Sequence, residues 1–142
     1  VNDTYGHATG DAVIHTMGTR LARWAQHRPA LAARLGGDEF GAVAVLPDRS
    51  ALADIAALRD QVQQPLRHDG HTLALTASFG IARAADLPGE PAERLLRAAD
   101  AAMYQAKQGA AEFPCLASVA DAYAVTVNGR RAGRHGAHLP LA

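Results

Sequence analysis

The stretch "RLGGDEFGAV", Arg34 to Val43, places two glycines and two carboxylates between two apolar runs. The runs, residues 30–35 and 40–46, have the length of β-strands, and glycines between such runs are typical of a tight turn. The sequence therefore predicts a β-hairpin with Asp38 and Glu39 at its tip.

Helical and strand-like patterns surround this hairpin. Apolar residues at spacings of three and four predict helices over residues 11–27, about 50–64 and 92–108. Asp69 and Gly70 are typical of a second hairpin turn, after which alternation predicts a half-buried strand over residues 73–81. The predicted order is α β β α β(β) α, with one further strand over residues 122–127.

Composition narrows the class of protein. The 142 residues carry 14 basic and 14 acidic side chains, and this balance offers no broad basic field for nucleic acid or anionic lipid. A single cysteine, Cys115, excludes an intrachain disulfide framework and is typical of a reducing compartment. No apolar run is long enough to span a bilayer, so we expect a soluble, cytoplasmic domain that binds no nucleic acid.

The hairpin tip has two interpretations when taken by itself. Gly36 and Gly37 lack Cβ atoms and allow a phosphate to approach the backbone, while Asp38 and Glu39 offer the hard anionic oxygens that Mg²⁺ prefers. An exposed acidic hairpin without function would have the same composition. The residues alone leave this choice open.

Four blocks together resemble one family. "VNDTYGHATGD" at residues 1–11, "RLGGDEF" at 34–40, "LTASFGIA" at 75–82 and "ADAAMYQAK" at 99–107 stand in the order of the GGDEF domain, the diguanylate cyclase family. The resemblance implies a Mg²⁺-dependent (or Mn²⁺-dependent) nucleotidyltransferase of bacterial second-messenger signalling. Such a transferase condenses two GTP into cyclic di-GMP and releases pyrophosphate.

The resemblance also implies a fold. It is an α+β, ferredoxin-like or palm-type antiparallel sheet with helices packed on it. Family members carry a further strand, with a metal-binding aspartate, before the first helix, and we expect that first strand to be missing from this chain. The expected domains are a GGDEF domain over residues 1–109 and a divergent, mobile tail over residues 110–142.

The resemblance assigns roles to the hairpin. Asp38 would bind metal and assist deprotonation of a GTP 3′-hydroxyl, and Glu39 would be the adjoining acidic metal ligand. Gly36 and Gly37 would let the substrate lie close to the turn.

Three residues outside the hairpin would bind substrate. Asn2 and Asp11 would recognise guanine, whose N1 and N2 hydrogens a carboxylate can accept. Asp11 has a structural alternative, since aspartate also caps helix starts. Lys107, the only lysine, would contact the triphosphate, although a lysine at a helix end is usually solvated.

The partners follow from the same resemblance. Catalysis on two GTP molecules implies a homodimer, and an intact protein would carry an upstream sensory or dimerisation region that could anchor it to a membrane. Relatives hold an inhibitory RxxD motif before the glycines; His27 and Ala30 stand there in this chain, so we expect no product-inhibition site.

Other functions remain open at this stage. A degenerate GGDEF domain could act as a non-catalytic GTP-binding or protein-interaction regulatory module. Another palm-type nucleotidyltransferase is a third possibility, against which the guanine-binding residues argue. Whether this chain is active as an enzyme is therefore left open by its sequence.

Overall fold

The computed structural model describes residues 2–109 and 112–123, with side chains from His7 onward. The chain forms two compact units, Val1–Ala77 and Ser78–Ala142. The chain has both helices and strands, and two of the three strand pairs in its described part are antiparallel, which confirms an α+β fold. The helices are α1 Asn2–Gln26, α2 Ala51–Val62, α3 Ala92–Lys107 and α4 Val119–Tyr123; the strands are β1 Ala30–Gly36, β2 Glu39–Ala44, β3 Leu66–His68, β4 His71–Leu73, β5 Gly80–Ile81 and β6 Cys115–Leu116.

The first helix begins earlier than its apolar pattern predicts. The apolar pattern starts the helix at Asp11, but the chain is helical from Asn2. Thr9 and Gly10, in this added part of the helix, are buried. The helix therefore packs against other residues before its apolar pattern begins. The predicted apolar face is confirmed further along, where Trp24 is buried and Ile14 is half-buried.

The predicted hairpin over residues 30–46 is confirmed. Strands β1 and β2 pair antiparallel, with Leu31 opposite Val43 and Arg34 opposite Phe40. Alternation sends Arg34 and Phe40 to a groove beside α1, whereas Leu31 and Val43 are 71% and 72% exposed on the other face. The face of the hairpin that carries Phe40 therefore packs against α1.

Helix α2 returns the chain to the second hairpin. Ser50 precedes it, and its hydroxyl donates to the Asp54 carboxylate at 3.2 Å. At the other end, the Arg20 guanidinium of α1 donates to the carbonyls of Val62 and Gln64. The first of these bonds satisfies the last carbonyl of α2, which has no partner inside the helix, and the second holds the residues that follow the helix.

The predicted strand over residues 73–81 is wrong in its middle. Only Leu73 and Gly80–Ile81 are in strands, and residues 74–79 are in none. The described strands form three separate pairs, and a strand needs a hydrogen-bonded neighbour along its length. Residues 74–79 have none in the described part of the chain.

The second unit has a core of its own. Helix α3 confirms the predicted helix from residue 92, and Leu96 on it is 54% exposed. The buried cluster consists of Leu87, Ala98, Ala102, Cys115, Ala117 and Ala122. Strand β6 pairs parallel with β5.

Cys115, Ala117 and Ala122 belong to this core, and they lie in the segment 110–142 that was expected to be a divergent, mobile tail. Ala122 is fully buried, and Arg94 of α3 lies 4.4 Å above the ring of Tyr123 and donates to the Ala122 carbonyl. The Tyr123 hydroxyl donates to Glu90, and this bond raises the pKa of Tyr123. A strand over 122–127 is contradicted where it overlaps α4, and residues 124–127 lie outside the described residues.

Candidate functional site

The tip of the β1–β2 hairpin has a conformation that only its glycines take easily. Gly36 pairs with Glu39 across the turn, and the register shifts between Arg34 and Gly36. Gly37 has a φ of 51°, in the left-handed region that favours glycine. A Cβ on Gly36 would meet nothing within 4 Å, so backbone conformation, and not crowding, favours glycine there.

Arg34 spans this turn from the β1 side. Its Nε donates to the Gly37 carbonyl at 3.0 Å and its Nη2 donates to the same oxygen at 2.8 Å. Both are good charge-assisted hydrogen bonds. The turn is thus tied to the strand that precedes it.

The two acids follow directly. Asp38 is exposed in the turn, and Glu39 is half-buried as the first residue of β2. Within residues 2–109 and 112–123, no three His, Cys, Asp or Glu side chains cluster as a metal site. The pair fits Mg²⁺, which is commonly held by one or two carboxylates together with substrate phosphate oxygens.

A groove of about 480 Å³ lies between α1 and the hairpin. This volume is within the range of small-molecule sites. Its polar lining includes Asp11 from the helix and Arg34 from strand β1 of the hairpin. The lining residues are Asp11, Ile14, His15, Gly18, Thr19, Ala22, Arg34 and Phe40.

The groove depends on close packing at its floor. A Cβ on Gly18 would lie 3.2 Å from the Phe40 ring, tighter than an ordinary contact. Gly18 therefore lets the ring approach α1 and fixes the start of β2. Phe40 anchors the outgoing strand as its apolar character predicts.

Asp11 lines this groove from a position in the middle part of α1, away from the helix ends. It is exposed and lies well after the helix start at Asn2, so it does not cap the helix. The structural alternative for Asp11 is therefore wrong. Asn2 begins α1, but its side chain lies outside the described residues.

Lys107 lies in the other unit. It is the exposed last residue of α3, where a cation is favourable next to the helix C-terminus. Its contact with a triphosphate stays a prediction, as does the part of Asn2 in guanine recognition. Gly36, Gly37, Asp38 and Glu39 lie together in the hairpin turn, and Asp11 lies in the same unit, in the groove that Arg34 and Phe40 of the hairpin also line.

Sequence reasoning missed Arg34 and the floor of the groove. Arg34 is two residues before Gly36, and strand alternation puts it opposite Phe40. The sequence did contain a signal for Arg34: it lies on the same face of the hairpin as Phe40 and close to the glycine turn. Gly18 gave no comparable signal, because its role depends on the approach of Phe40 from another element.

Comparison with known families identifies one match. The family described as "Diguanylate cyclase, GGDEF domain" matches residues 1–112. An uncharacterized 19.3 kDa protein of Streptomyces ambofaciens is 47% identical over 107 residues, which are 75% of this chain and 56% of that protein. Diguanylate cyclase DgcN of Escherichia coli is 40% identical over 79% of this chain and 28% of its own length. The chain thus spans little more than half, or less, of these relatives.

Solved structures agree with the sequence relatives. The GGDEF domain of PA1120 (TpbB or YfiN) from Pseudomonas aeruginosa superposes with a TM-score of 0.69 at 35% identity, covering 84% of this chain and 70% of that one. The GGDEF domain of DgcB from Caulobacter crescentus, in complex with c-di-GMP, gives 0.67 at 31% identity, with coverage of 84% and 70%.

Proposed function

Because the chain belongs to the GGDEF domain family of diguanylate cyclases, we propose that it condenses two GTP molecules into cyclic di-GMP and releases pyrophosphate. One observation carries the proposal: Arg34 lines the same groove as Asp11, and its guanidinium donates to Gly37 in the turn that holds Asp38 and Glu39. A nucleotide site needs both features, a cavity for the base and carboxylates that hold a divalent cation next to the phosphates.

The groove would hold the guanine base. The Asp11 carboxylate can accept hydrogen bonds from guanine N1 and N2, while adenine offers no such donor pair. Asn2, at the start of the same helix, would supply an amide donor and acceptor. Ile14 would contact the face of the base from one turn further along α1.

The acidic turn would serve the phosphates and the attacking hydroxyl. Asp38 and Glu39 would hold Mg²⁺ or Mn²⁺, which when bound neutralises phosphate charge and favours in-line displacement of pyrophosphate. Asp38 would accept the proton of the GTP 3′-hydroxyl. Gly36 and Gly37 would leave room for phosphate oxygens at the backbone, and Lys107 would add a positive charge.

Two GTP molecules need two sites that face each other. Each domain has one such groove in its described part, so a homodimer would join two half-sites and raise the effective concentration of one GTP against the other. An upstream sensory or dimerisation region would control this pairing. Within the described residues no helix is long and apolar enough to cross a membrane, and we propose that the domain works in the cytoplasm, where GTP is available.

Product inhibition through an RxxD motif would be absent. His27 follows α1 and Ala30 begins β1, at the two positions where the motif has its charged residues. Neither side chain can make the bidentate contacts of arginine or accept as a carboxylate does. Added cyclic di-GMP should therefore leave the initial rate unchanged through this route.

The test is product formation from GTP and Mg²⁺ by the 142-residue chain, alone and fused to a parallel dimeric coiled coil. Asp38→Asn removes the proposed metal ligand, and Asp48→Asn, in the exposed loop before α2, is the matched control. Cyclic di-GMP from the fusion and from the control, but not from Asp38→Asn, would support the proposal. No product from either form of the chain would overturn it.

A second candidate is a regulatory module that binds GTP without turnover. The groove that Asp11 lines is the observation behind it, because a site for the base is enough for binding without turnover. GTP binding by the fusion, lost in Asp11→Asn but without product at any metal concentration, would establish that module.

A further inference from the structure

Arg34 is the residue that connects the groove with the acidic turn. It lines the groove opposite Phe40, and its guanidinium donates two hydrogen bonds to the Gly37 carbonyl. We propose that Arg34 is a positioning residue, which fixes Asp38 and Glu39 for a divalent metal and links their position to a ligand in the groove. The inference rests on the proposed function of the acidic turn.

The hydrogen bonds from Arg34 matter because the two glycines give the backbone of the turn high conformational freedom. Gly36 and Gly37 both have positive φ, and glycine has the largest conformational freedom to lose. A Cβ on Gly36 would meet no atom within 4 Å, so no neighbouring group packs closely against that side of the turn. The two bonds from Arg34 lie at the glycine that immediately precedes Asp38.

The chemistry of arginine suits this position. Nε and Nη2 are neighbouring donors in a rigid planar fork, and here both reach one carbonyl oxygen. Lysine has a single flexible ammonium and cannot reproduce the fork. The guanidinium has five N–H donors, and these two bonds use two of them.

Two effects of Arg34 on a bound cation have opposite signs. Its positive charge repels a metal ion at the turn, an effect that water and salt weaken at an exposed site. Its hydrogen bonds hold the carboxylates where a metal can use both, and this raises affinity. Positioning by the hydrogen bonds outweighs the charge repulsion. Removing Arg34 therefore weakens metal binding even though a positive charge is lost.

A ligand in the groove could also act on the turn through Arg34, because Arg34 lines the groove together with Asp11. A ligand that contacts Asp11 lies beside the same guanidinium that holds Gly37. A ligand acceptor that recruits the remaining Arg34 donors would therefore further restrict the turn. Metal and nucleotide should each tighten the binding of the other, and this coupling should be smaller without Arg34.

The test uses Mn²⁺ binding by electron paramagnetic resonance and the heteronuclear NOE of the Gly37 and Asp38 amides, in the 142-residue chain without nucleotide. Arg34→Ala should weaken Mn²⁺ binding about three- to tenfold and lower both NOE values, since charged hydrogen bonds at an exposed site have modest strength. Arg34→Lys, which keeps the charge, should resemble Arg34→Ala. Arg67→Ala, at an exposed strand arginine of β3, should change neither quantity.

The outcomes separate this inference from the proposed function. Asp38→Asn must abolish the measured Mn²⁺ binding, which places the signal at the turn. Unchanged or tighter Mn²⁺ binding in Arg34→Ala, or unchanged NOE values, would overturn the positioning role. Because neither readout depends on GTP turnover, a chain that makes no cyclic di-GMP could still confirm Arg34, and an active chain could still refute it.

Discussion

Gly80 lies directly against Ala99: a Cβ on Gly80 would be 2.0 Å from the Ala99 carbonyl oxygen and 2.2 Å from the Met103 nitrogen. Both atoms belong to the backbone of α3 and cannot rotate away. The absence of a side chain at residue 80 therefore sets the distance between β5 and α3.

Gly80→Ala should destabilise the second unit by about 2–3 kcal/mol or more, because overpacking against backbone forces the elements apart. The measurement is the urea midpoint followed by far-UV circular dichroism. Gly41→Ala is the matched control, since its Cβ would meet only the flexible end of Leu35 at 3.2 Å. Equal losses in the two variants would contradict the close-approach argument.

Much of the fold is readable from the sequence because local patterns agree with packing. The hairpin around Gly36 and Gly37 and the helix from residue 92 have boundaries set by glycine, proline and apolar period. Local patterns fail where secondary structure depends on a hydrogen-bonded neighbour from another part of the chain. Residues 74–79 alternate as a strand does, but the described residues give them no neighbour to pair with.

The candidate site divides in the same way. Asp38, Glu39 and Asp11 are predicted as site residues from their motifs, because their residue types suit metal and guanine binding. The bonds from Arg34 to Gly37 and the contact of Gly18 with Phe40 depend on the approach of separate elements, which no local pattern reports. Likewise, no local pattern predicts that Ala122, after the expected end of the GGDEF domain at residue 109, is fully buried.

Arg20 is expected to stabilise the first unit through the end of α2. Its guanidinium donates to Val62 at 3.0 Å, Gln64 at 2.5 Å and Pro65 at 3.2 Å. Arg20→Ala should cost about 1–2 kcal/mol, since two of the three bonds are exposed and charged hydrogen bonds contribute modestly in water. Trp24, the single tryptophan, reports the unfolding of this unit by fluorescence.

The control for Arg20 is Arg23→Ala, at an exposed arginine one turn along the same helix. Its urea midpoint should match that of the parent chain. A similar loss in both variants would mean that net charge, and not capping of α2, is responsible.

Asp11→Asn should weaken GTP binding about tenfold, because a charged acceptor for two guanine donors is lost. ITP lacks the N2 amine, so the same substitution should weaken ITP binding less. Calorimetric titration of both nucleotides with Ca²⁺ in place of Mg²⁺ measures this without turnover. A loss that is equal for GTP and ITP would remove Asp11 from base recognition.

Cys115 gives the second unit a pH dependence with a definite sign. Its thiol is buried and donates to the Ala102 carbonyl at 3.0 Å; burial, and next the nearby Asp121 charge, raise its pKa above the ordinary value. Below the ordinary thiol pKa of about 8.5 both folded and unfolded chains keep the proton, so Cys115 adds no pH dependence there. Above it the unfolded chain loses the proton first, and stability falls as pH rises. The urea midpoint followed by circular dichroism should therefore drop between pH 8 and 10 more steeply in the parent chain than in Cys115→Ala, in which other groups titrate unchanged. Parallel profiles in the two chains would show that this thiol ionises equally in the folded and unfolded states.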